Sequence, residues 1–504
     1  MSLVRRAALR ALPAALAPAD ARFRWALRHP ERAQQALRRR IARDLSQTAY
    51  GRSVGVRGEG DFHRLPVTTW AALEPWLERQ RREEGRVLCA QPVRLYEKTS
   101  GSGGAAKHVP YTDALRRGFG EMFAVWAADL LRHGPRLRSG RIYLSVSPAL
   151  GAAETTGAGV PIGLEDDAAY LDGWLEGLLR RFQVGPQRPR HATAASFKDD
   201  VCRALLAEAR LEILSVWSPS FLDVLLDHAA QHRRRLSEGL PAARRAAVRD
   251  GATPDWTAIW PHLTLVSCWD QGPAAGPARR LARRLPHALL QGKGLLATEA
   301  AVTVPWLRAG GCVPLVNQTV VELLDASGEL LPVHAAEVDR RYEVVVSPVG
   351  GLPRYRLGDR VEVTHTWRRV PCLRFVGRSG GVSDLVGEKL HRSFVADVLR
   401  AQVPGAALST LVPVRGVQAG YVLLTDAPLA ADAAQRLDDA LCAAHHFGLA
   451  RTLGQLAPTR VVTSPHAAQW LAEREQRRGL SWGDQKPVAL HLHPADAPLE
   501  ALLR

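Results

Sequence analysis

Short apolar runs of strand length alternate with segments of helical periodicity along this chain. That alternation limits its fold more than any other feature. Runs 141–147 (RIYLSVS) and 263–268 (LTLVSC) have the apolar content of buried strands. Runs 313–324, 341–347, 360–364 and 372–376 read as further strands. Segments 199–210 and 221–231 read as helices. Helices are also expected over 68–82, over 19–48 and over 113–131. In 19–48, Asp20 serves as N-cap and Trp25, Leu27, Ala33, Leu37, Ile41 and Leu45 fall at roughly helical spacing. In 113–131, Leu115, Phe119, Phe123, Trp126 and Leu130 form an apolar stripe, read first as core packing. The mixture predicts an α/β protein. A Gly-rich break at 377–381 precedes a smaller unit with strands at 408–414 and 420–424 and helices at 431–444 and 465–476. The expected organisation is a large N-terminal domain of mixed sheets and helices (1–380) and a small, mobile α+β domain (381–504).

Composition narrows the function classes. The 504 residues include 67 Lys+Arg against 50 Asp+Glu, a formal charge of +17. Only six of the basic residues are lysines, namely Lys98, Lys107, Lys198, Lys293, Lys389 and Lys486. The arginine is spread along the chain without a nucleic-acid motif, so the charge reads as compositional bias and no nucleic-acid partner is expected. Arg38-Arg-Arg40 and Arg233-Arg-Arg235 read as solvated helix faces. At 46% hydrophobic and 23% charged, the chain is neither disordered nor fibrous. No apolar run reaches the ~18 residues of a membrane span. The longest, 295–307, is too short and contains Glu299. Pro13 and Pro18 break any signal-peptide core. Six cysteines make no disulfide framework in a chain this long. A cytoplasmic protein with reduced cysteines is expected, with no membrane partner.

Four segments carry chemistry. Thr99-Ser-Gly-Ser-Gly-Gly-Ala-Ala-Lys107 combines hydroxyls and glycines, which let backbone amides approach phosphate, with a cation. It is not a Walker loop, because Ala106 and His108 stand where that motif needs Gly and Ser/Thr. A surface turn is the alternative. In Tyr355-Arg-Leu-Gly-Asp359, Asp359 is expected to emerge from a tight turn, where its carboxylate can accept from a ribose diol or simply close a hairpin. Phe375-Val-Gly-Arg378, followed by Ser383-Asp-Leu-Val-Gly-Glu-Lys-Leu390, suits phosphate contact plus an interdomain hinge, or an ordinary linker. In Leu295-Leu-Ala-Thr-Glu299-Ala-Ala, a carboxylate in apolar surroundings is costly unless paired or bound to a cation such as Mg²⁺. A Glu at a strand edge facing water is the bland reading.

The order of these segments, with Lys486 near the end, resembles the adenylate-forming enzymes. The finer resemblance is to the acyl-acid amido synthetases of the auxin-responsive type and their bacterial relatives. It rests on Val216-Trp-Ser-Pro-Ser220, Ile259-Trp-Pro-His-Leu263, Ala297-Thr-Glu299, Gly351-Leu-Pro-Arg-Tyr-Arg-Leu-Gly-Asp359, Arg374-Phe-Val-Gly-Arg378 and Gly387-Glu-Lys-Leu390. Gly103 departs from the Thr of that phosphate loop, and Ala300 from the Gly that commonly follows the Glu.

The resemblance implies an ATP- and Mg²⁺-dependent ligase. It would activate a carboxylic acid as acyl-adenylate and pass the acyl group to an amine, usually that of an amino acid; the alternative is a thiol acceptor, as in acyl-CoA ligases. Ser100, Gly101, Ser102, Gly104 and Lys107 would serve the phosphates. Thr298 would lie near a phosphate, and Glu299 would bind Mg²⁺. Asp359 would hold the ribose, Arg378 would lie near ribose or phosphate, and Lys486 would stabilise charge developing during adenylation. Trp217, Trp269 and the Phe119–Trp126 stripe are candidate pocket walls. A monomer or homodimer is expected.

Overall fold

Leu211–Ser215 and Leu265–Cys268 are buried along their whole length, as the central strands of a covered parallel sheet must be. They lie inside a four-stranded sheet in the order Arg141–Leu144, Leu211–Ser215, Leu265–Cys268, Leu289–Gly292, every pair parallel. Helices Ala194–Ala207, Pro219–Leu236 and Ala275–Arg284 belong to the same region. The first of these starts earlier than its apolar spacing suggests because Thr193 caps it. Thr193 Oγ1 accepts from Ser196 N at 3.1 Å, and Ser196 Oγ accepts from Thr193 N at 3.3 Å.

The computed structural model describes residues 3–82, 85–99, 107–144, 154–156, 159–163, 173–185, 193–404, 406, 408–477, 488–495 and 499. It divides into two units, Met1–Glu97 with His108–Gly377, and Lys98–Lys107 with Arg378–Arg504.

The first unit also holds a five-stranded sheet in the order Leu330–Pro332, Thr319–Leu324, Arg341–Pro348, Tyr355–Trp367, Val370–Arg378. Sequence 313–324 is two strands, not one. Gly311–Pro314 forms a hairpin with Thr303–Trp306, and the chain then turns into Thr319–Leu324, which pairs with Arg341–Pro348. Thr112 Oγ1 accepts from Leu115 N at 3.2 Å and starts the helix Asp113–His133. The stripe on that helix is core. Leu115, Phe119 and Val125 pack in one cluster with Phe23, Leu27, Val304, Val320 and Val344.

The N-terminal helix expected over 19–48 is two helices, Leu3–Arg28 and Pro30–Ser46. Pro30 has no N–H to continue the first and is well suited to begin the second. Asp20 is therefore not an N-cap. It is buried inside the first helix, 1% exposed, and pairs with Arg24 at 3.0 Å and with Arg132.

The arginine runs are also more engaged than solvated faces would be. Arg38 reaches Glu322 at 3.5 Å, Arg233 donates to the carbonyls of Gly251 and Ala252, and Arg235 pairs with Asp199. All six cysteines are free thiols, five of them buried.

In the second unit, Ser409–Val414 pairs antiparallel with Gly420–Thr425, which pairs parallel with Arg460–Thr463. The two-residue period of these strands feeds two cores. Leu411, Tyr421 and Leu423 enter one cluster with the helices Arg392–Gln402, Ala433–Leu441 and His445–Leu453. Val412, Val422 and Leu424 enter another with Trp470 of the helix Ala467–Arg477. A short hairpin, Val382–Ser383 with Leu390–His391, precedes them.

Candidate functional site

Leu296–Ala297 and Ala300–Ala301 pair antiparallel, leaving Thr298 and Glu299 as a two-residue hairpin tip. The apolar flanks, with Ala300 0% and Ala301 3% exposed, carry Glu299 inward until it too is buried at 9%. This is not a carboxylate at a water-facing strand edge. The Tyr111 hydroxyl donates to the Thr298 carbonyl at 2.6 Å, and the Tyr111 ring stacks on Phe119 with centroids 5.8 Å apart. On the other side the Glu299 carbonyl comes within 3.6 Å of where a Gly351 Cβ would stand. Gly350, at φ +77°, packs so closely on Thr112 that a Cβ would meet Thr112 Oγ1 at 2.3 Å. That hydroxyl donates to the Gly350 carbonyl at 2.8 Å. Tyr111 and Thr112, the tip 298–299 and the turn 350–351 therefore meet in the first unit.

Among the described residues, no side chain pairs with the Glu299 carboxylate, and no three His, Cys, Asp or Glu side chains gather to hold a metal. One hard carboxylate in apolar surroundings fits Mg²⁺, which keeps most of its coordination for water and phosphate oxygen.

Asp359 does not emerge from a hairpin turn. Tyr355–Trp367 is one strand, and Asp359 lies within it, 1% exposed. Pairing with the neighbouring strand runs Val346↔Tyr355 and Val345↔Arg356, then slips before Glu343↔Arg360. Asp359 thus sits in a β-bulge, preceded by Gly358 at φ +74°, a conformation glycine adopts freely.

The strand is anchored at its start by Arg354, itself at φ +42°. Its guanidinium grips Glu322 through two bonds of 3.0 and 3.1 Å, donates to the Leu65 carbonyl at 2.7 Å and lies 5.7 Å over the Phe62 ring. Arg354→Ala would leave Glu322, whose side chain is 8% exposed, without its two-pronged partner. We expect a loss of about 3–5 kcal/mol in urea unfolding, with Arg354→Lys in between. Wild-type stability in the alanine variant would show that the pair does not anchor the strand.

The second unit gathers charge. Arg378 Nε lies 3.8 Å from Asp384 Oδ2. The His391 imidazole is pushed down to about 4, first by burial and then by Lys107, Arg378 and Lys389. Lys107 and Arg378 are therefore brought to one neighbourhood, together with a lysine that was not among the expected site residues. Ser100, Gly101, Ser102, Gly104 and Lys486 lie outside the described residues.

At the carboxyl ends of the parallel strands the candidate pocket walls Trp217 and Trp269 come together, with a residue that sequence reasoning missed, Lys293. Lys293 Nζ donates to Ser215 Oγ at 2.6 Å and lies 5.2 Å over the Trp217 ring, which is 5.8 Å from Trp269. Beside it, burial raises the Asp270 carboxyl, which packs against Gly292. Such strand ends are where open α/β sheets place ligands. Trp217 and Trp269 are half-buried there, whereas Phe119 and Trp126 are core, with Trp126 Nε1 donating to Gln291 at 2.8 Å. The scarcity of lysine was the signal that could have singled out Lys293.

Comparison with known proteins bears on the family and the fold. Residues 20–244 match the GH3 family N-terminal domain and residues 314–378 the GH3 family central domain. A curated relative, the probable indole-3-acetic acid-amido synthetase GH3.9 of Oryza sativa subsp. japonica, is 40% identical over 98 residues. That match spans 19% of this chain and 21% of the relative, about a fifth of its length. Among solved structures, the acyl acid amido synthetase AtGH3.15 in complex with 2,4-DB superposes over 97% of this chain and 95% of its own, with a TM-score of 0.65 at 17% identity. A 2-hydroxyisobutyryl-CoA ligase in complex with 2-HIB-AMP and CoA covers 91% and 92%, with a TM-score of 0.53 at 14% identity. The α/β fold is thus that of adenylate-forming enzymes. No helix among the described residues is long and apolar enough to cross a membrane.

Proposed function

Because the chain belongs to the GH3 family, whose two matching domains together span more than half of it, we propose that it is an ATP-dependent acyl acid amido synthetase. A substrate carboxylate attacks the α-phosphorus of ATP, and the bond to the β-phosphate oxygen breaks, releasing pyrophosphate. An amine, that of an amino acid in our reading, then attacks the acyl carbon. AMP leaves with the electron pair of the anhydride bond, and the amine loses a proton. The observation that carries this reading is the convergence of the Thr298–Glu299 tip with the strand after Lys107 and with the turn before Asp359.

Within that scheme the roles follow from chemistry. Lys107 and Arg378 contribute positive charge to the nucleotide phosphates, with Ser100, Gly101, Ser102 and Gly104 as the loop that approaches them. Glu299 is the protein ligand for Mg²⁺, which when bound offsets phosphate charge. Thr298 lies beside the phosphate and Asp359 accepts from the ribose. Lys486 supplies a cation to the adenylation transition state. Free thiols throughout support a cytoplasmic location. We expect a monomer or homodimer acting on small-molecule acids and amines.

The test is product identity. With ATP, Mg²⁺, a panel of carboxylic acids and a panel of amino acids, mass spectrometry should detect an N-acyl amino acid. Activation of an acid with no amide from any amine, or a thioester when coenzyme A is added, would reject the amide reading.

A further inference from the structure

The loop 384–389 closes the hairpin in which Val382 pairs with His391 and Ser383 with Leu390. At its centre is a carboxylate entirely out of water, Glu388, 0% exposed. The loop wraps around it. Glu388 Oε1 accepts from Leu385 N at 2.7 Å and Oε2 from Val386 N at 2.8 Å. The Tyr421 hydroxyl, from the strand Gly420–Thr425, donates to Oε1 as well. Tyr421 Oη is also 2.8 Å from Ser383 Oγ, and both residues are 1% exposed. Asp384 closes the turn by accepting from Gly387 N at 2.7 Å. Burial first, and then Asp384, push the Glu388 carboxyl up to about 7 against the pull of Tyr421 and the two amides. A buried carboxylate so fully engaged welds the loop to the sheet.

What the weld holds is the next residue. Lys389 stands at φ +50°, a conformation that side chains rarely adopt and that persists only where the surroundings over-determine it. Its charge, like that of Arg378, depresses both His391 and the half-buried His446, and Lys107 acts on His391 too. Three cations share this neighbourhood, with Asp384 beside Arg378 as the acidic group facing them. Held lysine and arginine charge of this kind is the ordinary footprint of a polyanion.

We propose that Lys389 is a third polyphosphate-binding cation beside Lys107 and Arg378, and that Glu388, acting with Tyr421, is the residue that positions it. This rests on the reading of Lys107 and Arg378 as nucleotide-phosphate residues. It goes beyond that reading by assigning Lys389 a contact and Glu388 a purpose.

Calorimetric titration of the full chain with inorganic pyrophosphate and with ATP tests it without any acid substrate. Lys389→Ala should weaken both about tenfold, and Lys389→Arg should restore most of the loss. Glu388→Gln should weaken them several-fold in protein still folded at the titration temperature, with a lowered melting temperature because the amide nitrogen cannot accept from a loop N–H, and Tyr421→Phe, the milder cut, in the same direction. Combining Glu388→Gln with Lys389→Ala should add nothing to Lys389→Ala alone, because the first acts through the second.

Wild-type affinity in Lys389→Ala, or additive effects in the double variant, would overturn the proposal. If acids are activated while Lys389→Ala binds pyrophosphate normally, this inference fails and the ligase reading stands. If no acid is activated but pyrophosphate binding depends on Lys389, the ligase reading fails and this one stands.

Discussion

Glu299→Gln should lower carboxylate-dependent ATP–pyrophosphate exchange by about 10²–10³-fold and raise the Mg²⁺ concentration needed for half-maximal rate. The substitution keeps the shape of the hairpin tip and removes only its charge. Glu299 is buried, and no side chain among the described residues pairs with it. The charge therefore serves no ion pair there that would explain its cost. A divalent ion at a transferring phosphoryl group contributes several kcal/mol, and each 1.4 kcal/mol is tenfold in rate. Because Gln is isosteric and the tip is fixed by Tyr111 through a backbone carbonyl, the melting temperature should change little. Exchange within threefold of wild type at limiting Mg²⁺ would remove Glu299 from the metal site.

Lys486→Ala should reduce exchange by a similar ~10²–10³-fold, the range for removing one preorganised charge from a transition state. The effect should be confined to adenylation. When acyl-adenylate is supplied ready-made, amide formation should proceed near the wild-type rate, since an interaction made only in the first transition state is irrelevant to the second. Equal losses in both steps would give Lys486 a structural or general binding role instead. Lys486→Arg should not rescue fully, because a planar guanidinium does not replace a compact ammonium.

Features set by neighbours in sequence were legible, and those set by distant partners were not. The stripe on Asp113–His133 and the buried strands Leu211–Ser215 and Leu265–Cys268 follow from local periodicity. The burial of Glu299 could be read from its apolar neighbours alone. Asp20 stands where an N-cap belongs, but its place is decided by Arg132, more than a hundred residues away. The bulge that holds Asp359 depends on how Arg341–Pro348 pairs with Tyr355–Trp367, a register that the Tyr-Arg-Leu-Gly-Asp string does not contain. Glu388 reads as one more polar residue after a glycine until Tyr421, on another strand, closes over it. The helix boundary at Pro30 was a different case. Its signal was local, yet the apolar spacing continues across it, and spacing outweighed the proline.

Carboxylate-dependent ATP–pyrophosphate exchange tests the central claim most directly. Purified protein with Mg²⁺, ATP, labelled pyrophosphate and a broad panel of carboxylic acids should return label into ATP with at least one acid. Without acid, or without Mg²⁺, there should be none. Folded, ATP-binding protein that exchanges no label with any acid, or exchanges it equally without one, would contradict the account.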